Sequence, residues 1–448
     1  MIPRAQMLEA VAIPSRITAL RKAGDSALVR SSALVFVGTA IARVLGFAFY
    51  IAAARLLSPS DYGVVAYALA VVTVASTVVS TCPNGLARFI ARNADDQLRQ
   101  QSYLANWTAV VGLALIASIT ALLLFAPAAR LDGWLLAAVV LNLANMAIFE
   151  TYTQLQRGLV RFLSMVSYYI LANLLQLVGI VIAGMLGWRQ PALFVGLYGA
   201  SAIAALGVME LIAPTRLGFT RAALGWARMR QVIRYLAPYL VMGVFYAAWW
   251  SADVIMIERL LNSTAAGNYA AGKTLGQILM LVPVAIGVAA TPRIARLPDS
   301  ALRRYFPTLL GLTLVVLVPI CATVLLLERS LTFLAYGAKY PGAVEALTPI
   351  TVGVALHGLY MVTNSAWGGL GRPQIAAVAT GVGLVATIAT GVVLIPAVGL
   401  VGGGIAFCAG AATQLVVVTA YTLWGVYSGP APRFGHLPDS AMAAFSPD

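Results

Sequence analysis

Residues 259–296 carry the sequence RLLNSTAAGNYAAGKTLGQILMLVPVAIGVAATPRIAR. Within it, residues 267–274 satisfy the phosphate-loop pattern G-x-x-x-x-G-K-[ST] letter for letter. A phosphate loop requires a buried strand before it and a helix after it, so that its backbone N–H groups fold around the phosphates. Here long apolar runs lie on both sides, at 239–261 and 275–290. The context therefore predicts that Lys273 is a charge inside a membrane helix, and argues against a nucleotide site.

The same stretch has an echo near the N-terminus. The RLL at 55–57, followed by Gly63, matches the RLL at 259–261, followed by Gly267. Downstream of each, an apolar run ends in a basic cluster, which is Arg88 and Arg92 in the first copy and Arg293 and Arg296 in the second. Two structural repeats with a site between them are a common plan for transporters.

The composition is that of an integral membrane protein. Of the 448 residues, 61% are apolar and 10% are charged, whereas soluble domains carry about 25% charged residues. The net charge of +14 then fits basic loops facing anionic lipid, and we predict no nucleic-acid partner.

A membrane span needs about 20 predominantly apolar residues, and twelve runs meet that requirement. The class predicted from the residues is an all-α integral membrane protein of about 12 transmembrane helices. Turn residues such as the SPSD at 58–61 separate the runs. The predicted spans are 31–57, 62–82, 102–127, 133–156, 163–187, 191–213, 235–261, 265–290, 305–327, 344–369, 373–395 and 400–426.

The distribution of Lys and Arg gives the orientation. With the N-terminus inside, 21 of the 29 fall on cytoplasmic segments, six on outer segments and two within spans. This bias predicts that both ends are cytoplasmic. The longest interior loop, 214–234, divides the helices six and six. The predicted organisation is an N-terminal segment 1–30, a bundle 31–213, a cytoplasmic linker 214–234, a bundle 235–426 and a tail 427–448.

The outer loops are short, and the sequence has no paired-carboxylate or H-E-x-x-H motif. We therefore predict that the protein is not an enzyme and uses no cofactor or metal. Three cysteines in or beside apolar runs imply no disulfide framework.

Three charges fall well inside spans: Arg43, Asp253 and Lys273. A charge at the centre of the bilayer costs about 2.5–3.5 kcal/mol and needs a partner, a watery cavity or a ligand. Two cations facing one cavity repel each other unless an anion such as a diphosphate lies between them. The alternative is that Arg43 reaches towards the cytoplasm and Lys273 pairs with Asp253 for stability.

Aromatic side chains precede Asp253 on the same helix. The rings of Trp249 and Trp250 could stack on sugars, although an aromatic belt at the membrane interface is also typical of such positions. The sequence leaves both interpretations open.

Several segments resemble the bacterial polysaccharide flippases of the O-antigen type. The resemblance is carried, in order, by 55–63 RLLSPSDYG, 84–92 NGLARFIAR, 253–261 DVIMIERLL, 267–271 GNYAA, 292–296 PRIAR, 369–373 GLGRP and 394–402 LIPAVGLVG. These segments cover most of residues 31–426.

The resemblance implies two six-helix bundles around a central cavity, within the multidrug/oligosaccharidyl-lipid/polysaccharide exporter superfamily. It implies export of an undecaprenyl-diphosphate-linked oligosaccharide across the bacterial cytoplasmic membrane, with the diphosphate at cationic residues. It also implies membrane lipid and the polysaccharide polymerase and export machinery as partners. Residues 42–47, ARVLGF, are similar to the first helix of the related lipid II flippase, which continues with an Arg-Asp pair where this chain has Phe49 and Tyr50.

Two other functions compete with this one. A cation-coupled multidrug exporter of the same superfamily would favour an acidic and apolar cavity. An ATP-dependent enzyme or pump would use residues 267–274.

Overall fold

The structure is a computed structural model that describes residues 33–131, 133–215, 217, 224–294, 299–369 and 374–424. The predicted N-terminal segment 1–30, the tail 427–448 and Arg296 lie outside these ranges.

The described chain is helical and forms two lobes. The N-terminal lobe comprises α1 Ala33–Leu56, α2 Pro59–Ala75, α3 Thr77–Thr81, α4 Leu86–Arg92, α5 Gln97–Phe125, α6 Gly133–Gly158, α7 Phe162–Met185 and α8 Pro191–Ile212. The C-terminal lobe comprises α9 Trp226–Leu260, α10 Ser263–Gln277, α11 Leu281–Ile294, α12 Asp299–Leu326, α13 Glu328–Tyr336, α14 Gly342–Gly369, α15 Gln374–Val398 and α16 Leu400–Thr422.

The prediction of about twelve spans is confirmed. In the described ranges, 11 helices are long and apolar enough to cross a membrane, and the bent pair formed by α2 with α3 and α4 makes a twelfth. Several boundaries differ, and α9 is an example, because it begins at Trp226 rather than at residue 235. The basic residues before 235, including Arg228 and Arg230, are good helix formers, and they extend the helix beyond its apolar part.

The second span bends by 54° between α2 and α3. The hydroxyl of Thr73 donates to the carbonyl of Leu69, and that of Thr77 donates to the carbonyl of Thr73, both over 2.8 Å. Such back-bonding to the helix's own carbonyls bends helices. The corresponding helix of the second repeat is also interrupted, by a 3₁₀ turn at Ile278–Met280 after α10.

The two repeats begin alike. Ser58 caps α2 by accepting a 3.1 Å hydrogen bond from the backbone of Asp61, and Asn262 caps α10 by accepting one of 2.9 Å from Ala265. We call the side of the molecule with these two caps the distal side. The opposite side, where α1 begins and α16 ends, is the terminal side.

The lobes meet at the two glycines of the echo. A Cβ on Gly63 would overlap the carbonyl oxygen of Ser263, and a Cβ on Gly267 would overlap that of Pro59. Only residues without a side chain allow α2 and α10 to approach this closely. The two segments that match in sequence therefore contact each other where the lobes meet.

The two arginines of the echo cross between the lobes on the distal side. Arg55 of the N-terminal lobe donates to the carbonyls of Ala335, at 2.6 Å, and of Leu334. Arg259 of the C-terminal lobe donates to the hydroxyl of Tyr67, at 2.7 Å, and to the carbonyl of Ala128. Each lobe thus binds free carbonyls of the other through an equivalent residue.

A tyrosine adds a further distal contact. Tyr340, in the turn before α14, donates a 2.8 Å hydrogen bond to the carbonyl of Ala54 in α1. Burial raises the pKa of Tyr340 above its ordinary range, so its phenol stays protonated and keeps donating.

Candidate functional site

The centre of the C-terminal lobe contains a buried ion pair. The Lys273 Nζ lies 2.7 Å from Oδ1 and 2.8 Å from Oδ2 of Asp253. The structure thus brings together the two charges that the sequence singles out in α9 and α10. Asp253 is fully buried and Lys273 is 4% exposed.

Three aromatic residues also contact this ion pair. Asp253 accepts a 2.7 Å hydrogen bond from the Tyr269 hydroxyl, and Lys273 donates to the backbone carbonyl of Trp250. The Nζ also lies 5.1 Å from the ring centre of Trp250 and 5.0 Å from that of Phe407. Both charged groups of the pair have all their partners within the C-terminal lobe, as expected for a stable buried ion pair.

Lys273 nevertheless reaches the surface of a cleft between the lobes. A cavity of about 110 Å³ is lined by Tyr50, Tyr62 and Thr73 from the N-terminal lobe and by Trp250 and Lys273 from the C-terminal lobe. The site therefore joins side chains from α1 and α2 to side chains from α9 and α10, although these two pairs of helices lie far apart in the sequence.

Arg43 is exposed on α1 and lies within electrostatic range of Tyr246 on α9. No hydrogen bond or ion pair to Arg43 occurs among the described residues. The structure thus places Arg43 near Tyr246, outside the lining of the cleft, and does not join it to Lys273 in one cluster.

A second cavity of about 300 Å³ adjoins the first, because Tyr50, Leu69 and Thr73 line both. Its wall on α2 and α3 is a stripe of hydroxyl groups, from Thr73, Ser76, Thr77, Ser80 and Thr81. This stripe was not predicted from the sequence. Its signal is the spacing of three and four residues between Ser and Thr within an apolar span.

The rest of this second cavity is lined by apolar and aromatic residues and one acidic residue. Tyr50, Tyr198 and Tyr246 line it together with Glu150 of α6. Glu150 is half-buried and interacts electrostatically with Arg157, but it makes no hydrogen bond within the described ranges.

The two predicted tryptophans have different surroundings. Trp250 is half-buried and lines the first cavity. Trp249 is fully buried, with its ring centre 4.4 Å from that of His357 and 4.9 Å from that of Phe407. The structure thus places Trp249 in the interior of the lobe and away from the walls of both cavities.

The two predicted basic clusters were expected to form a rim on the cytoplasmic side. Of their residues, Arg88 and Arg92 lie exposed on α4, at the terminal side. Arg293 belongs to α11, but its side chain, like the whole of Arg296, lies outside what the structure describes.

Residues 267–274, which match the phosphate-loop pattern, lie within the single helix α10. Their backbone N–H groups take part in the helix, and Lys273 is bound to Asp253. Because the segment forms no loop, it cannot surround phosphates, and the ATP-dependent alternative loses its basis.

Solved structures share this fold. An inward-facing multidrug resistance MATE family transporter of the MOP superfamily has a TM-score of 0.67 at 14% identity, covering 86% of this chain and 95% of that one. An inward closed form of the lipid II flippase MurJ has a TM-score of 0.65 at 13% identity, covering 90% and 89%. An outward-facing MATE transporter has a TM-score of 0.60 at 14% identity, covering 89% and 95%.

No curated protein matches the sequence. Residues 28–298, more than half of the chain, match the family described as polysaccharide biosynthesis protein. That match includes α1 to α11, both copies of the repeated segment and the buried ion pair. The chain belongs to the polysaccharide biosynthesis protein family.

Proposed function

We propose that the protein flips an undecaprenyl-diphosphate-linked oligosaccharide across the bacterial cytoplasmic membrane for the synthesis of a cell-surface polysaccharide. The observation that carries this proposal is a cationic side chain, Lys273, at the wall of a cleft between two lobes. The family supports a role in polysaccharide synthesis, and the fold is one on which known flippases are built.

The diphosphate would bind between Arg43 and Lys273. Arg43 is exposed and free of hydrogen-bonding partners in the described chain, so it can offer a planar pair of donors to phosphate oxygens. Lys273 is neutralised by Asp253. A neutral pair attracts an anion weakly, and we therefore assign the first contact to Arg43.

Lys273 would then exchange Asp253 for the diphosphate. Both partners are oxyanions, and the ammonium already lies at the cavity wall, so a rotation of the Lys273 side chain could make the exchange. Asp253 would then keep its hydrogen bonds from the Tyr269 hydroxyl and the Val254 backbone, and the diphosphate contacts would have to offset the loss of its cation. In this scheme Asp253 holds the cation in place between transport cycles. It also prevents the cost of an unpaired buried charge when no substrate is present.

Alternating access supplies the movement. The two bundles 31–213 and 235–426 would rock against each other, with both termini in the cytoplasm and the distal side facing outwards. The contacts of Arg55, Arg259 and Gly63 hold the distal side together in the present conformation, and they would open when substrate leaves. The polymerase and export machinery would receive the oligosaccharide on that side.

The first experiment is translocation of a fluorescent undecaprenyl-diphosphate oligosaccharide in proteoliposomes, with efflux of a cationic dye measured in parallel. Lipid translocation without dye efflux supports the flippase. Dye efflux without lipid translocation would instead identify a multidrug exporter. That alternative draws support from the half-buried Glu150 in the second cavity.

The variant Arg43→Met separates a substrate contact from a structural one. Because Arg43 is exposed and unpaired in the described structure, we expect translocation to fall by about 10-fold or more while thermal stability is unchanged. Arg189→Met, which removes an exposed arginine from the turn between α7 and α8, is the matched control. Equal translocation by the two variants would contradict the role given to Arg43.

A further inference from the structure

We propose that the hydroxyl-lined second cavity is the binding site for the sugar residues next to the diphosphate. This inference rests on the proposed function, and it assigns to that site a saccharide-recognition surface on α2 and α3.

The geometry of the stripe suits a ligand rich in hydroxyl groups. Thr73, Thr77 and Ser80 each donate to a carbonyl of their own helix, over 2.8, 2.8 and 3.2 Å. Their hydrogens are therefore occupied, while the oxygen lone pairs remain as acceptors at the cavity wall. A row of fixed acceptors is complementary to the O–H donors of a sugar.

The opposite walls supply the groups that the stripe lacks. The phenols of Tyr50, Tyr198 and Tyr246 can donate as well as accept, and their rings offer flat apolar faces. The carboxylate of Glu150 accepts strong hydrogen bonds from hydroxyl groups. Mostly apolar walls with a few converging polar groups are typical of small-molecule sites.

The position and volume of the cavity agree with this role. Because the two cavities share Tyr50, Leu69 and Thr73, a diphosphate at Lys273 would place its first sugar beside the stripe. A volume of about 300 Å³ is at the lower end of small-molecule pockets, which suits a portion of an oligosaccharide.

A lipophilic cation is the other ligand that tyrosines and a carboxylate could bind. Two observations favour the saccharide. Five of the lining residues are Ser or Thr, and their acceptor oxygens can form hydrogen bonds with the O–H groups of a sugar but not with a cation that lacks polar hydrogens. In addition, Arg43 lies within electrostatic range of Tyr246, and its positive charge opposes a second cation in the cavity.

The test compares ligands with and without a sugar on the purified full-length protein in nanodiscs. The probes are undecaprenyl diphosphate itself and undecaprenyl diphosphate bearing glucose, galactose or N-acetylglucosamine, and the readout is the Kd. We expect the wild type to bind at least one of the sugar-bearing lipids about 10-fold more tightly than the bare lipid, since each added hydrogen bond contributes a factor of about 2 to 10.

Variants of the cavity should remove that preference selectively. Thr77→Val and Ser80→Ala should each weaken binding of the sugar-bearing lipid by about 5-fold, and Glu150→Gln by about 10-fold or more. Binding of the bare lipid should not change. Thr323→Val is the matched control, because that exposed threonine of α12 also donates to its own helix, at 2.8 Å, but lies outside both cavities.

The outcomes are distinct. If the cavity variants weaken bare and sugar-bearing lipids equally, or neither, the sugar site is wrong while the flippase proposal stands. If the wild type binds none of these lipids, the flippase proposal fails and the sugar site fails with it. If wild type binds tetraphenylphosphonium and Glu150→Gln loses that binding, the cavity is a cation site instead.

Discussion

The two lobes differ most where their repeats should be most alike. The shift that places Arg55 on Arg259 also places Phe49 on Asp253 and Leu69 on Lys273. In the N-terminal lobe this pair is apolar and buried, and Phe49 packs against Tyr50 and Tyr198 with ring centres 5.3 Å away in both cases. In the C-terminal lobe the equivalent pair is a buried salt bridge.

The comparison shows that the fold does not need the charges. One lobe fills these positions with apolar side chains and the other with an ion pair, although α2 and α10 begin with similar caps. Apolar replacements for a buried ion pair are often neutral or stabilising, whereas removal of one partner is costly. A charged pair at such a position is therefore better explained by function than by stability.

The largest expected effect is that of Lys273→Met, which leaves Asp253 as a buried charge without its cation. We expect the free energy of unfolding to fall by about 3–5 kcal/mol, measured by titration with SDS. Lys339→Met, which removes an exposed lysine bound to the carbonyl of Arg55 at 2.7 Å, should cost less than about 1 kcal/mol. Equal losses in the two variants would mean that the pairing of Lys273 with Asp253 contributes no more to stability than a surface contact.

The next effect concerns the region where the lobes are alike. Gly63→Ala and Gly267→Ala each insert a methyl group against a backbone carbonyl of the other lobe. Each should destabilise the present conformation by about 1–3 kcal/mol. Gly112→Ala in α5, whose Cβ meets nothing within 4 Å, should instead stabilise its helix by about 0.5–1 kcal/mol. A strong effect from only one of the two contact glycines would show that the lobes are not equivalent there.

A smaller and equal effect is expected from Arg55→Met and Arg259→Met. Each removes hydrogen bonds to carbonyls of the other lobe, which are worth about 1 kcal/mol per residue near the surface. Spin labels at Ser60→Cys and Thr264→Cys, both exposed on the distal side, would report opening as a longer distance in either variant. The three native cysteines are replaced first. Distances that stay at the wild-type value in both variants would remove these arginines from the distal contact.

The smallest change in stability is expected from the combined variant Lys273→Met, Asp253→Leu and Tyr269→Phe. It removes the whole buried polar group and approaches the apolar pair of the N-terminal lobe. The free energy of unfolding should return to within about 1 kcal/mol of the wild type, while lipid translocation is lost. If translocation survives, the ion pair is a structural feature and the cationic mechanism is wrong.

Much of the fold could be predicted from the sequence. Apolar runs of sufficient length gave the spans, because the bilayer requires that length and requires every backbone group to be hydrogen-bonded within its helix. The ends of several helices differ from the prediction, as at α9, where basic residues such as Arg228 continue the helix into the predicted linker. Hydropathy cannot find that boundary, because a helix outside the membrane needs no apolar residues.

Less of the site could be predicted. The cost of a charge in the membrane singled out Asp253, Lys273 and Arg43 from the sequence alone. It could not show that the first two neutralise each other, nor that Trp249 packs in the interior of the lobe while its neighbour Trp250 lines the cavity. Neighbours in sequence on a helix point in different directions, and the packing of other helices decides which side faces the cleft.

A membrane protein of about twelve helices can be predicted from the sequence alone, and the repeated RLL segment predicts two repeats. The helix count follows from local composition and from the physics of the bilayer. The packing of the helices was needed to show that the repeated segments form the contact between lobes, that Lys273 is paired, and that the hydroxyl groups of α2 and α3 line a cavity. Each of these three features depends on which other helix packs against the side chains concerned. The periodicity of one helix shows which of its faces is apolar, but it does not specify the neighbouring helix.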